Sequence, residues 1–368
     1  MSDDLIRYHG GNIYAAARDS GLAAADFLDF SANINPLGLS PQVRTALVSA
    51  MDSVVCYPDP DAVALKTAIA DTYQVPGECI ETGNGAVELI YLLCRALSPK
   101  RVLLPAPTFG EYEGATRAAG LPVRRISLFA EANFIPDIAA ISAALQPGDL
   151  LFFCNPNNPT GVIMTREQLE PLIEQAAKIG AHIVIDESFI DFRPVERGES
   201  CRNLVGRYRS VSVLHSLTKF LAVPGLRLGF LLAEPALVQR LDLLRDPWNV
   251  NVMAQAAGVA GLQDAVYRQE TVRLVSREKD AMREQLQTIQ GIKVLPPSVN
   301  FVLVELNATG WTAERLQQRL WQERILIRNC ASFSGLSDRY IRLAVKQPAE
   351  NRRLIGLLKK IMCKDEEA

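Results

Sequence analysis

The chain has 368 residues, 48% of them hydrophobic, and a formal net charge of −2; it can build a substantial core, and length alone allows two or three domains of about 150 residues each. Near-neutral charge without a long basic block argues against a nucleic-acid or membrane-surface partner, and no apolar run approaches the roughly 20 residues that would span a bilayer. The seven cysteines are scattered without CxxC spacing and the start Met-Ser-Asp-Asp-Leu lacks the basic and apolar parts of a signal peptide, so the expectation is a reduced, cytoplasmic protein with neither disulfide framework nor metal site.

The segment before about residue 40 is too short for a domain of its own and is expected to pack against a smaller domain or a cleft. The middle of the chain then alternates short apolar runs with amphipathic stretches. Gly83-Asn84-Gly85-Ala86 opens a helix-like stretch, Ala86–Leu97. Strand-like runs follow at Val102–Pro105, Leu150–Cys154, His182–Ile185, Val211–Leu214 and Leu228–Leu232. A helix is predicted over Thr165–Ile179, where Thr165 and Gln168 have the spacing of a capping box. This alternation predicts a mostly parallel α/β sheet. The last third reads differently. A long helical pattern covers Val252–Gln290, and alternating segments at Val299–Val304 and Tyr340–Val345 flank a helix near Thr312–Gln322. The expected division is a large α/β domain over 45–245 and a smaller α+β domain built from 1–44 with 246–368.

Three stretches suit one phosphate. Gly85 and Ala86 sit where a helix start offers free N–H groups and a favourable dipole; alone, such a turn is ordinary. Ser216-Leu217-Thr218-Lys219 places two hydroxyls and an ammonium after an apolar run. Arg227, in Pro-Gly-Leu-Arg-Leu-Gly, carries a guanidinium fork that matches phosphate. Three other positions suit a flat, cationic ring. Asp186 ends a strand that looks buried, and a carboxylate there needs a cationic partner. A structural salt bridge or a metal ion would serve; so would a protonated pyridine nitrogen, and that pair would make the ring a better electron sink. Asn158 lies in the turn Asn155-Pro-Asn-Asn-Pro-Thr-Gly161, and Phe109 follows Pro105-Ala-Pro-Thr. Phe109, Asn158, Asp186 and Lys219 all fall just past strand ends, the edge at which open α/β sheets bind ligands. His182 and His215 lie inside apolar runs and read as core.

This ordered set resembles the fold-type I pyridoxal-phosphate (PLP) enzymes of the aminotransferase class over essentially the whole chain. Within the class, His9-Gly-Gly-Asn12, Asp29-Phe-Ser-Ala-Asn-Ile-Asn-Pro-Leu-Gly38, Asp191-Phe192 and Ile325-Leu-Ile-Arg-Asn-Cys-Ala331 are most similar to the L-threonine-O-3-phosphate decarboxylases of cobalamin biosynthesis. Histidinol-phosphate aminotransferases are near relatives. Aminotransferases usually carry tyrosine three residues after the ring aspartate; here that position is Phe189, as in the decarboxylases.

The resemblance implies Lys219 as the Schiff-base lysine and Asp186 as partner of the pyridine nitrogen. It implies Asn158 on the ring hydroxyl, Phe109 as the stacking residue, and Gly85, Ala86, Ser216, Thr218 and Arg227 around the cofactor phosphate. Tyr57 would reach that phosphate from a second subunit, so a homodimer with shared active sites is expected. His9, Asn33, Arg328 and Arg342 would form the shell around a small phosphorylated amino-acid substrate. The implied reaction is decarboxylation of phosphothreonine to 1-amino-2-propanol O-2-phosphate. Phosphoserine decarboxylation and histidinol-phosphate transamination are the alternatives, and Arg342 suits either a carboxylate or a phosphate. A regulator that has lost catalysis is disfavoured by the intact Lys219.

Overall fold

Residues 10–194, 198–307 and 309–364 are described by the computed structural model. The apolar runs of the middle third pair into a seven-stranded sheet. Its strands are β1 (Ile80–Gly83), β2 (Arg101–Ala106), β3 (Val123–Ser127), β4 (Asp149–Cys154), β5 (His182–Asp186), β6 (Val211–Ser216) and β7 (Gly229–Leu232). Their order across the sheet is β1-β7-β6-β5-β4-β2-β3. Only β7 runs against its neighbours; the other pairs are parallel. Strands β4 and β6 are buried along their whole length, because helices cover both faces. Continuous apolar runs, rather than alternation, follow from that. Two strands were not apparent from the sequence. β1 is short and holds the buried Glu81, which pairs with Arg245 at 3.2 Å. β3 is a half-exposed edge carrying two arginines.

The second sheet is antiparallel. It holds β8 (Lys293–Val294), β9 (Phe301–Glu305), β10 (Arg328–Asn329) and β11 (Tyr340–Ala344), in the order β10-β11-β9-β8. Helix Ala313–Gln322 and helix Pro348–Lys364 belong to this part. Leu28–Asp29 pairs in parallel with Ile325–Leu326 as a separate two-stranded ladder, and the Ala344 N–H donates to Phe30 O, which holds the N-terminal segment against the smaller sheet.

Two expectations need correction. The helical pattern over Val252–Gln290 is two helices, Val252–Gln263 and Ala265–Gln287, broken at Asp264. The Asp264 carboxylate accepts the Tyr267 N–H at 3.0 Å and so starts the second helix; a capping side chain outcompeted helical periodicity. The boundary expected near residue 245 also moves. Ala254, Ala257, Leu262 and Val275 join the core of the large sheet, together with Val43. The second core gains its first buried side chain from the long helix at Met282. We propose accordingly that the domain division falls within helix Ala265–Gln287.

Candidate active site

Asn155 and Asn157 fix the loop after β4. The Asn155 amide bonds Met164 O and N at 2.9 and 2.8 Å. Asn157 donates to Pro107 O and Thr160 Oγ1 at 2.9 Å and accepts from Thr108 Oγ1. Asn158 is then left facing a cleft of about 1230 Å³ between the two sheets. Phe109, Asn158, Lys219, Arg227, Arg328 and Arg342 line it, with Asn33 at the N-terminal side. Asp186, Ser216 and Ala86 lie buried beneath.

At one end of this floor is Asp186. Its carboxylate accepts from Tyr112 OH at 2.5 Å and from Ser188 N–H at 2.8 Å. Among the described residues, no side-chain cation stands within ion-pair distance of it. Burial, then the Asp186 charge, raise the Tyr112 phenol well above its usual pKa, so it acts as donor. Tyr112 lies flat on Phe152, with centroids 5.1 Å apart, and presents its ring edge-on to Phe109 at 5.6 Å.

Lys219 rises from the short helix Leu217–Phe220 at the end of β6. Its Nζ is 3.4 Å from Ser216 Oγ and 5.1 Å from the centre of the Phe189 ring. Burial brings the amine down to about 8; Arg227 and Arg342 push the same way, and Asp186 opposes them. The lysine is thereby far closer to a neutral nucleophile than one in water.

At the other end, Gly85 makes room for Arg227. Its φ is +80°, and a Cβ there would fall 2.5 Å from Arg227 Nη2. The Gly85 N–H is taken by Gly83 O, and the Asn84 N–H by Glu88. Any anion at this turn therefore meets the N–H groups that open helix Ala86–Leu97. Arg227 itself is held at φ +62°, a left-handed conformation that costs a non-glycine residue about 1 kcal/mol or more. The Thr218 hydroxyl donates to Leu228 O at 3.0 Å and accepts the Leu228 N–H at 3.2 Å. It thus fixes the turn that carries Arg227, while Thr218 itself lines the cleft.

The facing wall comes from the smaller sheet. Arg328 and Arg342 are cross-strand partners on β10 and β11, both buried. Arg342 donates to Asn158 Oδ1 and, at 3.0 Å, to Ser31 O. Asn33, with its amide oxygen turned to the guanidinium, accepts from Nε and Nη1 at 3.3 Å. Among the described residues no carboxylate lies within ion-pair distance of Arg342. Burial, with Arg328 adding to it, lowers Arg342 to about 10. Arg328 donates to Ser332 Oγ at 2.7 Å and lies over the Phe333 ring.

Tyr57 does not reach the cleft of its own chain; it is 76% exposed and stacks on Trp248 at 4.4 Å. His9 lies outside the described residues. His215 is fully buried and His182 bonds Ser212. Sequence reasoning missed Tyr112, Ser31, Ser332 and Asn35. Asn35 Nδ2 donates to Phe220 O at 2.7 Å, and its N–H donates to Lys219 O at 3.0 Å, so the N-terminal segment braces the lysine's helix. For Tyr112 a signal existed: a tyrosine one helical turn beyond Phe109, on the buried side of a helix start.

The sequence matches the family described as aminotransferase class I and II over residues 25–358. The chain belongs to this family. It is 38% identical over 359 residues to the threonine-phosphate decarboxylase of Salmonella typhimurium, covering 96% of both chains. The crystal structure of L-threonine-O-3-phosphate decarboxylase from Porphyromonas gingivalis superposes with a TM-score of 0.81 at 25% identity, over 90% of this chain and 98% of that one. The histidinol-phosphate aminotransferase from Clostridium acetobutylicum superposes with a TM-score of 0.85 at 29% identity, over 92% and 99%. The geometry is therefore that of the family's shared scaffold, on which both decarboxylases and aminotransferases are built.

Proposed function

We propose that the chain is a PLP-dependent L-threonine-O-3-phosphate decarboxylase that serves cobalamin biosynthesis. The observation that carries the substrate reading is the buried cross-strand pair Arg328 and Arg342. Like charges directly opposite on a sheet repel, and burying the Arg342 guanidinium with no carboxylate at ion-pair distance among the described residues is costly. A substrate with two anionic groups, a phosphate and a carboxylate, relieves both costs. The 38% identity to the Salmonella decarboxylase and the phenylalanine at 189 favour decarboxylation over transamination.

The residues fit PLP. Lys219 offers a buried amine, Asp186 a carboxylate without a cation, and Arg227 a guanidinium beside a helix start. PLP, when bound, supplies an aldehyde that links to amines and a ring that accepts the electron pair of the bond that breaks. Asp186 would hold the ring nitrogen protonated. Arg342 can only donate, so it faces the Asn158 oxygen and leaves the Asn158 NH₂ to donate to the ring hydroxyl. Phe109 would cover one face of the ring. Ser216, Ala86 and Arg227 would surround the cofactor phosphate, with Gly85 and Thr218 shaping that seat. Arg328 and Arg342 would fix the substrate's rotation and place its carboxylate bond perpendicular to the ring, which selects the bond that breaks. Lys219, carrying as an ammonium a proton taken up from the incoming substrate amine, would donate it to the substrate carbon that carbon dioxide leaves.

Incubation of the PLP-loaded protein with L-threonine O-phosphate tests this. We expect carbon dioxide and 1-amino-2-propanol O-phosphate without any added keto acid. Turnover that requires 2-oxoglutarate, or that prefers histidinol phosphate, would replace decarboxylation by transamination.

We further propose a homodimer in which Tyr57 completes the partner's phosphate seat, because Tyr57 stands exposed and away from its own cleft.

A further inference from the structure

Ser31 touches two parts of the cleft wall at once. Its hydroxyl accepts the Gly11 N–H at 2.7 Å and donates to Asp29 Oδ1 at 2.5 Å. Its own N–H donates to the same Asp29 oxygen at 2.7 Å. Its carbonyl accepts from Arg342 Nη2 at 3.0 Å. The chain ahead of helix Ile13–Ser20 rests on that same carbonyl. A Cβ on Gly10 would lie 2.1 Å from the Ser31 oxygen, so only glycine lets the strap sit there. Gly10, Gly11 and Ile13 line the cleft that Arg342 faces, and Ser31 is itself buried.

We propose that Ser31 is a positioning residue that couples the seating of the strap, residues 10–13, to the orientation of Arg342. The inference rests on reading Arg342 as the clamp for a substrate anion. The three acceptors now facing Arg342, Asn158 Oδ1, Ser31 O and the turned Asn33 amide oxygen, are neutral. A ligand anion makes the stronger, charge-assisted bond, while the Ser31 carbonyl keeps the guanidinium fork in plane. The strap docked on that carbonyl then closes the cleft around the bound anion and keeps water out. Arg342 and the strap are thus ordered together, and a change at Ser31 loosens both.

Two substitutions perturb this contact from opposite sides. Ser31→Ala removes the hydroxyl bonds and keeps the carbonyl; Gly10→Ala sets a methyl against the carbonyl oxygen. In the PLP-loaded enzyme each is expected to raise KM for L-threonine O-phosphate about tenfold or more, with kcat changed less than about threefold, the signature of lost binding rather than lost chemistry. Tryptic cleavage at Arg18 becomes faster, and inorganic phosphate, which slows it in wild type, no longer does so. Ser31→Thr restores KM. Unchanged KM and cleavage in both variants would overturn the proposal. Should neither variant fold, amide exchange at Gly11 in the wild-type holoenzyme decides: slowing by inorganic phosphate supports the coupling, and indifference rejects it. Failure of the wild type to decarboxylate phosphothreonine would sink the functional reading alone, since the phosphate-dependent protection of Arg18 and Gly11 is read without turnover.

Discussion

Lys219 shows how one side chain's surroundings set its chemistry. An exposed lysine amine titrates near 10.4 and is almost wholly protonated at neutral pH, whereas burial brings this one to about 8. Only the neutral amine attacks an aldehyde. The rate at which the cofactor-free protein forms its chromophore with PLP should therefore rise with pH through a midpoint near 8, followed by stopped-flow absorbance. Arg227 contributes to the depression, so Arg227→Met should move that midpoint upward and also weaken PLP binding at equilibrium. A midpoint that stays put would show that burial alone sets it. Tyr112 gives a second prediction at this scale. Its bond to the Asp186 carboxylate is buried at both ends. Tyr112→Phe should cost the cofactor-free protein about 1.5–3 kcal/mol in urea unfolding, the range for hydrogen bonds to charged groups. The sequence announced Asp186 because a carboxylate closing an apolar strand demands a partner. For Tyr112 it offered only a place one helical turn past Phe109 and not its role, since its partner lies 74 positions away and is met only once β5 and the helix after β2 are packed.

At the scale of elements, the site is a row of strand ends and the turns that follow them. The strands on which it depends were legible, since β2, β4, β5, β6 and β7 are buried on both faces and so read as mostly apolar runs. Elements stabilised by something other than apolar pattern were not. β3 is an edge with two outward arginines, and the break at Asp264 depends on one carboxylate capping a helix. The turns are held by side chains that bond backbone, and these bonds have measurable consequences. The Thr218 hydroxyl satisfies both the N–H and the carbonyl of Leu228. Thr218→Val keeps the shape and removes both bonds. The left-handed turn at Arg227 should then relax. We expect weaker PLP retention during gel filtration, and a stability loss of about 1–3 kcal/mol from the Leu228 N–H that loses its acceptor, the Leu228 carbonyl keeping the Leu217 and Thr218 N–H groups. If retention were unchanged, the guanidinium would be held by its glycine neighbour rather than by the threonine.

At the scale of the whole molecule, the phosphate seat we propose would be incomplete within one chain, because Tyr57 stands exposed and outside its own cleft. The segment around Tyr57 exposes a run of apolar side chains: Val48, Met51, Val54 and Val55 on one side, Leu243 and Trp248 on the other. Val55 is 90% and Leu243 84% exposed, and Tyr57 and Trp248 stack on each other across the two stretches. Large exposed apolar patches mark interaction surfaces, and a second copy of the chain is the occupant that would also explain Tyr57. A two-fold contact would place each Tyr57 at the other protomer's Arg227 turn, so one surface would serve assembly and catalysis together. Leu243→Lys puts a charge into that contact and leaves the cleft untouched. It should shift the protein from dimer to monomer in sedimentation velocity, and PLP affinity and activity should fall together as protein concentration is lowered. Tyr57→Phe should leave the dimer intact and weaken PLP binding alone, because only the hydroxyl that would meet the phosphate is lost. A Leu243→Lys monomer with full PLP affinity would mean that each chain completes its own site and that the exposed strip serves another purpose.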